Sequence, residues 1–450
     1  MHNQILQRLI KNKFQAFIVG GAVRDILLGV KPKDYDIATN ATPEQIISIF
    51  KDRNVKEVGK SFGVVIVDGI EVATFRKDRY FGLNAHNCEI TYAETIEEDL
   101  SRRDFTINAM AMDIHGNIID PFDARLDLEQ LCIRFVGDPF ERINEDPNRI
   151  LRACRFSAKL KGRLGFITRS VLRECNLYVE KYVAPERIRL ELLKAMEIQE
   201  ASWFFQELNS LGIYLFTDME SCVKNNYHGK HHREGIFEHL MIVGDSISPK
   251  YPLLKLTGYL HDIGKPKAYQ DNGDGTFVGH EKVGCDMVEQ DLTRLKFSND
   301  EVKYVKNLVK YHMRHHVSEF DDSSKMVRRT LSKFKEHDVN YKDFLRLKIA
   351  DRKGNLAKEK FTLTEIKNML KCFRDEVNAK VPFGVKDLAI NGNDLIELGL
   401  EPGPIFSKLL NFCLNVVLEY PERNTKEELI PMVKGLLFAG ITQQKDWNIY

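Results

Sequence analysis

Apolar residues change their spacing along this chain, and each change marks a part of it. Between residues 14 and 122, short β-branched and apolar runs such as FQAFIVG and GVVIVDGIEVATF are bounded by glycines and read as strands. AVRDILL, which follows Gly20–Gly21, reads as a helix closed by Gly29. From about Leu126 the apolar positions fall at helical spacing almost to the end, as in RILRACRFSAKL, ERIRLELLKAMEI and WFFQELNSLGIYLF. Histidine concentrates near Asn225 in NNYHGKHHREGIFEH, and a last block, opening VKDLAINGNDLIELGLEPGP, has Gly/Pro punctuation of its own. The pattern predicts an α+β protein. A mixed-sheet head spans 1–123 and an all-helical neck and body 124–222; a histidine-bearing helical domain over 223–355 and a helical tail over 356–450 follow.

Composition narrows the partners. At 450 residues and 43% hydrophobic, the chain can bury several cores. Lys+Arg 66 against Asp+Glu 65 leaves a net charge of +1, which excludes a global polycation, so a nucleic-acid surface must be local. The best local candidate runs from Arg149 to Arg173, where Lys and Arg recur without an acidic residue. MHNQILQRLIKNK is not built as a signal peptide, and no apolar run approaches the ~20 residues of a membrane span. Eight scattered cysteines without a CxxC pair suit reduced thiols. A soluble, cytoplasmic protein without a membrane partner is expected.

Candidate chemistry begins in the head. A turn at Gly20–Gly21 lets backbone approach a phosphate, and Arg24, one helical turn on, is a fork-shaped donor for the same anion. Asp34 and Asp36, two apart on a predicted strand, project from one face and make a cradle for Mg²⁺ carrying a triphosphate. Glu71, on IEVATF, reads either as a third carboxylate or as an ordinary exposed strand residue. Further on, Asp146 and Arg149 are three apart and can share a helix face. A carboxylate accepts from the exocyclic amine of cytosine or adenine while a guanidinium donates to the adjacent ring acceptor, so one Asp–Arg pair accepts C and A and rejects U and G. The same Asp146, before Pro147, also reads as a plain helix N-cap.

These motifs carry a resemblance. FIVGGAVRDILLGVKPKDYD, residues 17–36, is similar to the head of the DNA polymerase β-like nucleotidyltransferases, and more narrowly to bacterial tRNA CCA-adding enzymes and bacterial poly(A) polymerases. EEDLSRRDFTINAMAMD, residues 97–113, resembles a second signature of that family, and NEDPNRILRACRF, residues 144–156, its EDxxR motif. The resemblance implies addition of C, C and A to the tRNA 3′ end from CTP and ATP, with tRNA and not DNA as the polymer bound. It implies catalytic, Mg²⁺-binding Asp34 and Asp36. It places Gly21, Arg24, Arg103, Asp146, Arg149, Arg152 and Arg155 at the nucleotide, with Arg102 and Asp104 beside them; a salt bridge or cap is the alternative for Asp104. ERIRLELLKAM resembles the next family helix and reads mostly as packing. In the stretch KDRYFGLNAHNCEITYAETIEED the arginine-rich loop with which many relatives switch from C to A is not evident; some relatives without it still add full CCA, and CC-only addition, like poly(A) synthesis, stays open.

A second resemblance follows the histidines. His239 in FEHL, His261–Asp262 in HDIGKP and Asp351 in IADRKGN stand in the order of the HD metal-dependent phosphohydrolases, which makes 223–355 an HD domain. His280 and His312 stand where two-metal members place further ligands. Imidazole with carboxylate suits Mn, Fe, Ni, Co or Zn. A phosphohydrolase whose head only binds nucleotide is therefore the alternative of another class. His228, His231, His232, His315 and His316 read as surface or RNA-contacting, and the tail is expected to contact the tRNA elbow.

Overall fold

The β-branched runs become the middle of a seven-stranded mixed sheet with strand order β3-β4-β5-β2-β1-β8-β9. Its strands are β1 (Ala16–Val19), β2 (Asp36–Thr39), β3 (Val55–Lys56), β4 (Val64–Val67), β5 (Ile70–Thr74), β8 (Ala111–Met112) and β9 (Ile118–Ile119). This is a computed structural model, and it describes residues 1–57, 63–82, 88–224, 233–269, 276–314 and 323–438. The chain divides into two compact units, Met1–Leu215 and Phe216–Tyr450. The α+β class is the observed one, a mixed-sheet head followed by helices.

In the first unit, β1 pairs antiparallel with β2, and β2 pairs parallel with β5, so Val19, Asp36 and Glu71 lie side by side across three strands. Helices α1 (His2–Lys11), α2 (Gly21–Leu27), α3 (Pro43–Ile49) and α4 (Ile96–Ser101) accompany the sheet, while β6 (Arg76–Tyr80) and β7 (Cys88–Tyr92) form a separate hairpin. The predicted strand through both aspartates is shorter than expected: it begins at Asp36, and Asp34 lies in the segment leading into it. Beyond the head come α5 (Ala124–Glu129), α6 (Pro139–Glu145), α7 (Arg149–Leu160), α8 (Phe166–Glu174), α9 (Tyr178–Tyr182), α10 (Pro185–Met196) and α11 (Ser202–Ser210), with β10 (Cys132–Ile133) and β11 (Arg163–Leu164) as a two-stranded clip.

Apolar spacing decides which face of α7 turns inward. Ile150, Leu151, Ala153, Cys154 and Ala158 are buried, and the helix packs on α10 and α11. Head and neck meet through aromatic rings. Phe105, fully buried just after the RRD segment, lies 4.8 Å from Phe135 and edge-on to Phe156 of α7 at 5.5 Å.

The second unit is helical in its described residues. It comprises α12 (Met219–Lys224), α13 (Ile236–Asp245), α14 (Pro252–Leu260), α15 (Lys265–Ala268), α16 (His280–Arg294), α17 (Asn299–Tyr311), α18 (Ser323–His337), α19 (Tyr341–Gly354), α20 (Leu363–Asn378), α21 (Gly392–Glu397), α22 (Pro404–Glu419) and α23 (Lys426–Phe438). One core joins Val243, Leu254, Leu308, Phe334, Phe344 and Phe373, and a separate one holds the last three helices through Leu395, Leu409, Cys413, Val417 and Leu429. Among the described residues, no helix is long and apolar enough to cross a membrane.

Phe105 is the packing residue on which the head–neck junction turns. Phe105→Ala should destabilise the protein by about 3–5 kcal/mol, the usual cost of emptying a buried phenyl site. Urea denaturation checks this; a loss below about 1 kcal/mol would mean the site refills.

Candidate active site and metal centre

The end of the sheet where β1, β2 and β5 align opens into a cavity of about 900 Å³, lined by Gly20, Gly21, Asp34, Asp36, Glu71 and Arg103 among others. Gly20 adopts φ +71, and a Cβ there would stand 2.9 Å from Arg103 Nη1, so only glycine lets the turn lie under that guanidinium. Asp36 faces the cavity, yet burial by its walls and the charge of Asp34 push its carboxyl up, against the pull of Arg103. Burial, then the charges of Asp36 and Asp34, push Glu71 up as well. Three carboxylates gathered at one cavity wall, two of them pushed up by burial and by acidic neighbours, describe a site that a divalent cation relieves. Glu71 is exposed on its strand, as the plainer reading expects, and lies in register beside Asp36 at the cavity.

The cations around this cluster are held by acids: Asp104, for which a salt bridge was one reading, and Asp99, Asp25 and Glu191, which sequence reading passed over. Asp99, 1% exposed, receives Arg102 at 2.9 Å and Arg103 at 3.2 Å. Its position three and four residues before those arginines was the available signal. Asp104 accepts from Arg152 Nε at 2.7 Å, from Asn108 Nδ2 at 3.1 Å and from the Phe105 amide at 2.8 Å. Burial alone would raise its carboxyl, but Arg152 and these donors outweigh burial and hold it below the usual range. Asn108 in turn accepts from Arg24 Nη1 at 2.5 Å, while Arg24 Nε and Nη2 bond Asp25 at 2.9 and 2.7 Å. Arg24 is therefore buried and engaged within the protein, and an anion reaching it competes with Asp25 and Asn108. Glu191, also buried, receives Arg155 Nε at 2.5 Å. Arg24, Arg152 and Arg155 all lie over the Phe156 ring, at 5.2, 5.6 and 4.5 Å.

The basic run beginning at Arg149 loses most of its excess in three dimensions. Lys159 pairs with Asp25, Lys161 with Glu200, and Arg169 with Glu207, in addition to the pairs of Arg149, Arg152 and Arg155. Arg163 remains exposed.

Asp146 and Arg149 both line the cavity, but not from one helix. Asp146 is the C-cap of α6, Asn148 is the N-cap of α7, and Pro147 forces the break between them. The two do not share a helix face, but the cap reading holds in part: Asp146 is extended just before Pro147, and its carboxylate accepts from the amide two residues on, as an N-cap does. The Asp146 carboxylate accepts from the Asn148 amide at 3.1 Å and is gripped by Arg187. Arg149 donates to the Arg142 carbonyl at 2.8 Å, pairs with Glu145, and stands 5.7 Å from the Tyr80 ring.

A second constellation lies in the other unit. His239 on α13, His261 and Asp262 just after α14, His280 opening α16, His312 closing α17 and Asp351 on α19 are brought together, every sequence-predicted member included. Gly264 permits it: a Cβ there would fall on the backbone of His280 and Gly284, so the HDIGKP turn can press against α16. Three imidazoles set Nδ1 against a carbonyl, His261 to Gly258 at 2.9 Å, His280 to Phe277 at 2.7 Å and His312 to Val309 at 2.6 Å. His239 Nδ1 faces Glu234 at 3.3 Å. Every Nε2 is thus turned inward.

His239 and His261 Nε2 are 3.2 Å apart, and Asp262 Oδ2 lies 3.4 and 3.3 Å from them, with Asp351 at 3.2 Å from His239. On the opposite side, Asp262 Oδ1 lies 3.1 Å from His280 Nε2 and 3.3 Å from His312 Nε2, yet among the described residues this buried oxygen has no hydrogen-bond partner of proper geometry. Bonds of about 2.0–2.1 Å to one ion set neighbouring ligand atoms roughly 3.0–3.4 Å apart, so the donor set fits a metal. His228, His231, His232, His315 and His316 lie outside the described residues, as do residues 83–87 between β6 and β7.

Comparison with known proteins gives matches in both units. The Poly A polymerase head domain family matches residues 16–134, and tRNA nucleotidyltransferase domain 2 matches 282–433. The CCA-adding enzyme of Lactococcus lactis subsp. lactis is 30% identical over 441 residues, covering 96% of each chain. The chain belongs to the CCA-adding enzyme family. Its match to the Leuconostoc citreum enzyme is 42% identical but shorter, 219 residues, and spans 52% of that protein and 48% of this one. The fold of this family member resembles that of the solved Bacillus stearothermophilus CCA-adding enzyme in complex with CTP, with a TM-score of 0.69 at 24% identity over 99% and 98% of the two chains.

The raised carboxyls at the sheet end make a directional prediction. A carboxyl whose folded value is raised contributes stability below its unfolded value and loses it as pH rises through the folded one. Metal-free protein should therefore gain, not lose, melting temperature near neutral pH when Asp36 becomes Asn, and Mg²⁺ should raise Tm in the wild type alone. Equal Mg²⁺ stabilisation of Asp36→Asn would remove Asp36 from the metal site.

Proposed function

We propose that this chain adds C, C and A to the 3′ end of tRNA from CTP and ATP, releasing pyrophosphate. The observation that carries this reading is one cavity holding both the Asp34–Asp36–Glu71 carboxylates and the Asp146–Arg149 pair, so phosphoryl chemistry and base reading share a wall. Bound CTP in the Bacillus stearothermophilus relative supports it. Asp34 and Asp36 are the catalytic residues and hold Mg²⁺, with Glu71 beside them. A divalent ion there supplies charge neutralisation for the triphosphate and favours ionisation of the attacking 3′-hydroxyl. Gly20–Gly21 lets the phosphates approach the backbone, and Arg103 faces them from above that turn. Arg24, Arg152 and Arg155 hold the wall of the cavity in register and set its potential. Asp146 and Arg149 read the base edge.

In this reading 1–123 is the catalytic head, 124–222 selects the base, 223–355 is the HD domain and 356–450 contacts tRNA, in a cytoplasmic enzyme. Addition of CC alone, or of poly(A), is the competing product within the same chemistry. The converging imidazoles favour a second activity, phosphohydrolysis by the HD domain. His239, His261, Asp262 and Asp351 would hold one transition metal (Mn, Fe, Ni, Co or Zn), with His280 and His312 across Asp262 for a second. Such an ion supplies a hydroxide at neutral pH. Lys265, 2.5 Å from Asp262, places a positive charge beside the site for a substrate phosphate. Removal of 2′,3′-cyclic phosphate or phosphomonoester groups would prepare damaged tRNA ends for rebuilding.

Truncated tRNA incubated with Mg²⁺ and each nucleotide singly and in pairs tests the primary reading: C is added from CTP, and A only once CTP is present. Growth of a homopolymer from ATP alone would replace it with poly(A) synthesis. Asp34→Ala should bring addition to background without loss of tRNA binding. Asp146→Ala should cost about 1–3 kcal/mol of discrimination between CTP and UTP, measured as a ratio of kcat/KM. For the second site, metal analysis of purified protein should find a transition ion that is lost in His261→Ala. The same variant should lose hydrolysis of 2′,3′-cyclic nucleotides while keeping CTP incorporation. Wild-type protein without such an ion would reduce the HD domain to a helical spacer.

A further inference from the structure

The helix that reads from sequence as packing carries a polar face into the cavity. Ile188, Leu192, Ala195 and Met196 of α10 are buried among neighbours, while Arg187, Leu190, Glu191 and Lys194 line the nucleotide cavity. Arg187 Nη1 donates to Asp146 Oδ1 at 2.8 Å, and Nη2 donates to Oδ2 at 2.7 Å, a two-point fork on one carboxylate. We infer that Arg187 is a specificity-determining positioning residue, which holds Asp146 in the orientation that reads the amino edge of the incoming base. The inference rests on the tRNA nucleotidyltransferase reading above and adds a residue to it.

The argument is one of competing partners. Asp146 and Arg149 are three residues apart with opposite charge, so the nearest partner for each, left alone, is the other. A pair closed on itself offers neither an acceptor nor a donor to a base. The structure avoids this by crossing the partners: Asp146 goes to Arg187, and Arg149 goes to Glu145 and the Arg142 carbonyl. Three donors, two from Arg187 and one from the Asn148 amide, fix the plane of the carboxylate. Each carboxylate oxygen accepts about two hydrogen bonds, and Oδ2 uses one on Arg187, which leaves a lone pair for the N4 amine of cytosine or the N6 amine of adenine. A keto oxygen in the same place meets a carboxylate that cannot turn away. Rigidity, not attraction, is what rejects U and G.

Steady-state incorporation of one nucleotide into tRNA lacking its 3′ CCA tests this, with CTP and UTP compared in wild type, Arg187→Met, Arg187→Lys and the double variant Arg187→Met with Asp146→Ala. The CTP-to-UTP ratio of kcat/KM should fall about tenfold or more in Arg187→Met. Arg187→Lys keeps the charge but not the fork and should recover the ratio only in part. The double variant should discriminate no worse than Asp146→Ala alone, because Arg187 acts through Asp146. An unchanged ratio in both single variants, with both nucleotides slowed equally, would make Arg187 a mere tie between α10 and the α6–α7 corner and overturn the inference. Losses that multiply in the double variant would overturn it too. If Arg187→Met fails to fold by circular dichroism, Arg187→Lys, alone and with Asp146→Ala, decides by the same two comparisons. Wild-type protein that adds no C overturns the proposed function and this inference together; a selective wild type with insensitive Arg187 variants overturns this inference alone.

Discussion

Asp104 is the constraint through which the first unit organises its chemistry. A carboxylate 9% exposed must be paired, because an isolated buried charge costs far more than a fold can offset. Its partners radiate into the whole cavity. Through Asn108 it sets Arg24, and Arg24 sets Asp25; through Arg152 it ties the head to α7, where Glu191 sets Arg155. Phe156 supplies the apolar floor on which those guanidinium groups stand. Take the carboxylate away and Arg152 loses its nearest acid, while Asn108, which accepts from Arg24, loses its own acceptor.

This arrangement explains why a protein of near-zero net charge can carry so many cations in one cavity. Each is matched by an acid, some within four residues (Asp25, Asp99, Glu145) and some from elsewhere in the chain (Asp104, Asp146, Glu191), so the cavity is preorganised without being a strong polycationic patch. Fixed dipoles and charges that need no reorganisation stabilise developing charge better than mobile ones. The same logic separates the carboxylates at the sheet end from the rest: Asp36 is raised by burial and by Asp34, and Glu71 by burial, Asp36 and Asp34, so here acids are gathered toward acids.

The two metal-type sites differ in the way their chemistry would require. Oxygen donors at the sheet end suit a hard ion that travels with a triphosphate. In the helical unit, imidazoles locked by Nδ1 contacts and joined through both oxygens of Asp262 suit transition ions. Helix ends make the second possible: His261, His280 and His312 each stand at a helix boundary with Nδ1 against a carbonyl three residues back, a local lock that needs no distant partner.

Spacing within the sequence located the head, the helical remainder and both aspartates; the family resemblance added the RRD segment, the reading of EDPNR and the six members of the histidine cluster. Strand alternation, helix period and short motifs are local properties, and residues whose chemistry is unusual for their neighbourhood stand out against them. What the sequence could not supply was the identity of partners. The acids that neutralise the Arg149–Arg173 run, such as Asp25, Asp104 and Glu207, come from elsewhere along the chain; the grip of Arg187 on Asp146 spans 41 positions, and no periodicity links such residues. The break at Pro147 likewise converted a supposed shared helix face into two capped ends. Residue types and their order determined which chemistry this protein can do; only tertiary packing decided which charges meet, because burial makes pairing compulsory and folding chooses the pairs.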